Sequence, residues 1–103
     1  MKNPRFKLLV SEEAESDIDD AYTWYELQKK TLGDSFIRSL SSAFQKIKRN
    51  PHLYPLVYLD IRKHLIRKFP YCVYFFVDET DYSIRVVSVL HNSRNPNIWK
   101  HRI

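Results

Sequence analysis

Tyr71-Cys72-Val73-Tyr74-Phe75-Phe76-Val77 is followed by the polar stretch Asp78-Glu79-Thr80-Asp81-Tyr82, and then by Ser83-Ile84-Arg85-Val86-Val87-Ser88-Val89-Leu90. Both apolar runs are rich in β-branched and aromatic residues, which suit a pleated, half-buried surface. Two such runs joined by a short polar turn predict an antiparallel hairpin. The first run carries almost no polar residue, so it belongs in the middle of a sheet. On the second, strict alternation puts Arg85, Val87, Val89 and His91 on one face and Ile84, Val86, Ser88 and Leu90 on the other. With the more apolar set turned to the core, Arg85 and His91 point to the open side.

Upstream, Phe69-Pro70-Tyr71 is a rigid lead-in to the central strand, because proline fixes its own backbone. Residues 61–68 (Ile-Arg-Lys-His-Leu-Ile-Arg-Lys) predict a basic edge strand, with Arg62, His64 and Lys68 on one side and Lys63 and Arg67 on the other. Residues 51–60 read as an extended loop pinned by Leu53, Tyr54, Leu56 and Tyr58. Two helical patterns precede it. Over 12–30, Ala14, Ile18, Ala21, Tyr22 and Tyr25 form one stripe, Ser11 stands at the N-cap, and Lys29 and Lys30 close the negative end. Over 34–49, Phe36, Leu40, Phe44 and Ile47 recur at helical spacing until Asn50-Pro51 stops the ladder. Gly33 is expected to supply the left-handed backbone that ends the first helix. Phe6, Leu8 and Val10 alternate as a short first strand over 5–10.

The order β-α-α-β-β-β defines an α+β fold in two layers, a helical hairpin on one face of a four-stranded antiparallel sheet. Its other face is expected to be uncovered, and so polar or a binding surface. At 103 residues the chain has room for one core, and residues 1–103 read as a single domain. The 44% hydrophobic and 28% charged content argues against disorder. No apolar run approaches the ~18 residues of a membrane span, and the N-terminus has no apolar signal region. One cysteine, Cys72, forms no internal disulfide and fits a reducing compartment, the cytoplasm.

Charge is unevenly spread. Residues 1–10 carry +3, residues 11–34 carry −6, and residues 35–103 carry +8, for a net charge of +5. Such a basic part suits nucleic acid or an acidic protein. The single glycine excludes a phosphate-binding glycine loop. His52, His64, His91 and His101 with one cysteine lack metal-ligand spacing, so no zinc and no cofactor is expected. What remains is a basic and aromatic cluster on the C-terminal sheet. Its arginines read either as partner contacts or as edge-strand protection against aggregation. His91 reads either as a general acid–base or as a strand-end cap. Phosphodiester cleavage needs proton transfer and cations around the phosphorane. His91 with Arg62 and Arg67 would supply part of that set, and Asp60 is the nearest acid in sequence. Trp24 and Trp99 read as core or partner anchors.

The ordered set of Ser11-Glu12-Glu13-Ala14-Glu15-Ser16-Asp17-Ile18, Asn50-Pro51, Arg62, Phe69-Pro70-Tyr71, Tyr74, Val89-Leu90-His91, Arg94 and Trp99 resembles the RelE/ParE superfamily of toxins over nearly the whole chain. The resemblance implies a cytoplasmic type II toxin neutralised by a cognate antitoxin, whose acidic, poorly ordered segment folds over the toxin. RelE-like members cleave mRNA in the ribosomal A site. ParE-like members inhibit DNA gyrase and are not nucleases. The Phe-Pro-Tyr segment and the His-x-x-Arg tail resemble the ParE or plasmid-stabilisation side. His91 falls where some ribosome-dependent nucleases of the superfamily carry a catalytic histidine, whereas the Lys-rich cleavage set of RelE itself is absent.

Three readings follow. In the first, the chain is a non-enzymatic gyrase inhibitor that binds through Arg62, Arg67, Arg85, His91, Arg94 and Trp99. The alternative is a ribosome-dependent endoribonuclease using His91, Arg62 and Arg67. The third is a plain nucleic-acid-binding module, or a degenerate toxin retained without activity. The first two share one expectation, that an acidic antitoxin docks on an uncovered cationic sheet and covers Arg62, Arg67 and Arg94.

Overall fold

The computed structural model describes residues 5–94 and Arg102. The chain runs β1 (Lys7–Val10), α1 (Glu12–Gln28), α2 (Leu32–Arg49), a single 3-10 turn (Pro51–Leu53), β2 (Leu56–Tyr58), β3 (Ile61–Leu65), β4 (Tyr71–Asp78) and β5 (Ser83–His91). The helices form a hairpin against one face of the sheet, as expected. The sheet has five strands in the order β1-β5-β4-β3-β2, and β1 runs parallel to β5. It is therefore mixed, not four-stranded and antiparallel. The extra strand lies inside the stretch read as a loop. Three residues with a register shift against β3 are too short to show a period in the sequence.

Local rules place both helices. Ser11 Oγ accepts the Ala14 N–H at 3.1 Å, and Glu12, Glu13 and Glu15 sit at the positive end of α1. Lys29 and Lys30 lie beyond that helix, which ends at Gln28. The left-handed residue of the link is Thr31 (φ 71°), not Gly33. Gly33 instead lies in the first turn of α2, where its N–H donates to Glu26 Oε1 of α1 at 2.8 Å. A β-carbon there would stand 2.9 Å from the Tyr22 carbonyl oxygen, so the glycine is needed for close helix approach.

The main core lies between helices and sheet: Ala14, Ala21 and Tyr25 of α1, Phe36, Leu40 and Ile47 of α2, against Val73, Phe75, Ile84, Val86 and Val89. Each large apolar side chain buried this way contributes roughly 1.5–3 kcal/mol. Tyr25 and Phe36 stack at 5.4 Å, with Phe69 and Tyr71 edge-on to both rings. Phe69 and Tyr71 thus tie the lead-in of β4 to the helices.

The basic strand β3 lies between β4 and β2 and is not an edge, and two further expectations about the sheet fail. First, β5 does not alternate throughout. Tyr74 pairs with Ser88 but Phe75 pairs with Val86, so Val87 is an extra residue, a bulge. The bulge reverses the phase of everything after it. Val89 joins Ile84 and Val86 in the helix-side core, whereas Val87 and Leu90 join the opposite cluster. His91, paired with Tyr71, therefore sits on the helix side, away from the face of Arg85. Second, the far face is not an open cationic surface. Ile61, Cys72, Tyr74, Val87 and Leu90 are all buried there, at most 5% exposed.

Candidate functional site

His91 ends β5 beside the first residues of β4 and the flank of α1. Its ring stands edge-on to Tyr71 at 5.3 Å. Asp17, Asp20, Tyr71, His91 and Arg94 line a cavity of about 70 Å³. His91 Nδ1 accepts the Ser93 backbone N–H at 3.0 Å, and Ser93 Oγ lies 2.7 Å from the same nitrogen. A backbone N–H only donates, so Nδ1 is the acceptor in this contact. Burial pushes the Tyr71 phenol up, Arg94 draws it down, and Asp17 and Asp20 push it up again. Tyr71 is therefore a neutral hydroxyl near pH 7.

Asp17 does most to shape this corner. β1 stops at Val10, and Ser11 N–H takes the Val86 carbonyl, so the edge of β5 beyond Val86 has no neighbouring strand. Asp17 Oδ2 accepts the Val89 N–H at 3.1 Å. Arg102 donates to Asp17 Oδ2 at 2.6 Å, to the Val87 carbonyl at 3.2 Å and to Ser88 Oγ at 3.0 Å. The ion pair substitutes for a strand, one partner taking a backbone donor and the other a backbone acceptor. Asp17 and Asp20 are three apart on α1 and off its apolar stripe. That spacing shows they share a helix flank, but not which strand they meet. Asp60, the acid nearest Arg62 in sequence, sits in the β2–β3 turn, away from His91.

The remaining candidates are scattered. Arg62 Nη1 donates to the Tyr54 carbonyl at 2.6 Å and to the His52 carbonyl at 3.3 Å. Its fork anchors the connection between α2 and β2. Arg62 pairs with Phe75 and His91 with Tyr71, so they stand four residues apart along β4 and on opposite neighbours of it. At ~3.3 Å per residue and ~4.8 Å per strand their backbones are on the order of 16 Å apart. Arg85 lies at the other end of β5, 3.8 Å from Asp78 and 3.3 Å from Asp81. Arg67 is in the β3–β4 connection, facing α2 across a separate groove. Arg94 is exposed beside His91, and Trp99 lies outside the described residues. Trp24 is 54% exposed, a surface residue despite its contact with Tyr25.

The chain is a helical hairpin on a mixed five-stranded sheet, with His91 and Arg94 where the last strand ends. The model of the ParE toxin of the type II toxin–antitoxin system, parDE, matches residues 8–96, and the chain belongs to that family. It is a type II toxin of the RelE/ParE superfamily. Solved structures share the fold. A chain of the chromosomal ParDE system from Pseudomonas aeruginosa aligns with a TM-score of 0.74 at 13% identity, covering 84% of this chain and 96% of that one. The E. coli RelE toxin gives 0.65 at 17% identity, covering 93% and 94%. The RelBE2 toxin–antitoxin complex of Mycobacterium tuberculosis gives 0.59 at 14% identity, covering 85% and 99%. No curated protein sequence matches the chain. Among the described residues no helix is long and apolar enough to cross a membrane.

Proposed function

We propose that this toxin arrests growth in the cytoplasm by inhibiting DNA gyrase, and that a cognate acidic antitoxin holds it inactive in a hetero-oligomer. The match to the ParE family carries this reading. The geometry supports it against the nuclease alternative. Cleavage of a phosphodiester asks for an acid–base group and cations around one phosphate. Here Arg62 is engaged by two backbone carbonyls far from His91, and Arg67 faces another groove. Arg94, exposed beside His91, is the cation we assign to the antitoxin's acidic segment.

The test is a supercoiling assay with purified toxin, gyrase, ATP and relaxed plasmid, run beside cell-free translation. Loss of supercoiling with translation intact is the expected result, together with reversal on adding the antitoxin. Prompt translation arrest with new 5′ ends on translated messages, and unimpaired supercoiling, overturns the proposal in favour of the ribosome-dependent nuclease.

A further inference from the structure

Between α2 and the β3–β4 connection runs a groove of about 600 Å³. Arg38 and Lys46 project into it from α2, and Arg67 and Lys68 from the connection. All four are exposed, and none has an ion-pair partner among the described residues. No acidic side chain lines the groove. This differs from the other end of the sheet, where Arg85 is neutralised by Asp78 and Asp81. Serines 35, 39 and 42 add hydroxyls along the same helical stripe as Arg38 and Lys46. From residue 35 to residue 46 that stripe is about 16 Å long at ~1.5 Å per residue.

Cations without counter-charges, interleaved with hydroxyl donors, suit a row of phosphates. The alternative occupant, an acidic peptide that orders on binding, needs deep apolar sockets to offset its lost entropy. The groove's apolar lining is Leu32, Ala43, Leu65 and Phe69, of which the Phe69 ring is held edge-on by Tyr25 and Phe36 and Leu65 is 55% exposed. A single strand would need aromatic faces for its unpaired bases, and the nearby rings are already occupied, Phe69 in the core and Tyr54 against His64. A duplex backbone needs only charge and hydroxyls.

We infer that the groove between α2 and the β3–β4 connection is a sequence-independent docking site for the phosphate backbone of duplex DNA. The choice of DNA over an RNA duplex rests on the gyrase reading, whereas the phosphate chemistry of the groove stands on the residues alone. The toxin would then hold DNA itself rather than only the protein that acts on it.

The experiment is fluorescence anisotropy of the full-length toxin on a mixed-sequence DNA duplex, titrated across about 50–200 mM salt. It compares wild type, R38E/K46E, and K29E/K30E, which makes the same change of net charge outside the groove. Thermal melts establish that all three are folded. R38E/K46E is expected to bind at least about tenfold more weakly and to lose about two units of salt slope, with K29E/K30E within about threefold of wild type. An equal loss in K29E/K30E overturns the site, since net charge alone would then explain binding. Equal competition by a glutamate-rich peptide or by single-stranded DNA overturns the duplex assignment. Preference for an RNA duplex overturns the choice of DNA. The gyrase reading is judged separately by supercoiling, in which wild-type toxin is scored whatever the groove does.

Discussion

His64 faces α2 on the floor of the cationic groove, with its ring 4.4 Å from that of Tyr54. Burial holds its imidazole below the usual histidine range, and Lys46 adds to the effect. Between the lowered folded value and the ordinary value of about 6.5, the unfolded chain binds a proton that the folded chain refuses. Stability contributed by neutral His64 is thus complete above about pH 6.5 and falls as the solution is acidified. Urea titrations at pH 7.5 and pH 5.5 should show a smaller acid-induced loss in His64→Phe than in wild type. Equal losses would show that His64 takes its proton as easily folded as unfolded. Arg62 shows a different limit on reading single side chains. Its place on a basic strand suggested a partner contact, yet its guanidinium bonds two carbonyls of its own chain. Residue type and spacing cannot separate those roles, because both need an arginine on the same strand.

The helical hairpin depends on one close contact. Alanine at position 33 would gain about 1 kcal/mol of helix propensity over glycine. It would also drive a methyl to 2.9 Å from the Tyr22 carbonyl oxygen and 2.6 Å from Glu26 Cγ. Glu26 can swing away, but only by releasing the Gly33 N–H, while the Tyr22 carbonyl belongs to α1 itself. Overpacking of this kind costs about 1–3 kcal/mol, so the clash wins. Gly33→Ala should lower the urea midpoint with no change in slope; a raised midpoint would mean that the helices separate freely. The sequence pattern located both helices to within two residues, because each carries its own cap and stripe. It misplaced the left-handed residue, since a glycine beside a break fits a helix end and a helix contact equally well. In β5 strict alternation holds as far as Val87. Beyond it, one bulged residue transferred His91 to the other face, and nothing in Val86-Val87-Ser88 marks which residue is the extra one.

Asp17 and Arg102 join α1, β5 and the end of the described chain, 85 residues apart, with side chains 12% and 17% exposed. Removing the carboxylate leaves the Val89 N–H without its acceptor and Arg102 without its counter-charge. Asp17→Ala should cost about 2–3 kcal/mol by urea unfolding. Arg102→Ala should cost a similar amount, and the double variant clearly less than the two together, because they remove one network. Full additivity would show that each residue acts alone.

Hydrophobic periodicity, capping residues and the β-rich hairpin were enough to establish two layers, the order of the long elements and a family resemblance. These signals pass between neighbours in the chain, so a linear reading contains them. The parallel docking of β1, the short β2, the buried far face and the meeting of Asp17 with Val89 and Arg102 depend on which distant segments pack together. So does the groove between α2 and the β3–β4 connection. No local period records such pairings, and packing around a single bulge was sufficient to set which way His91 points.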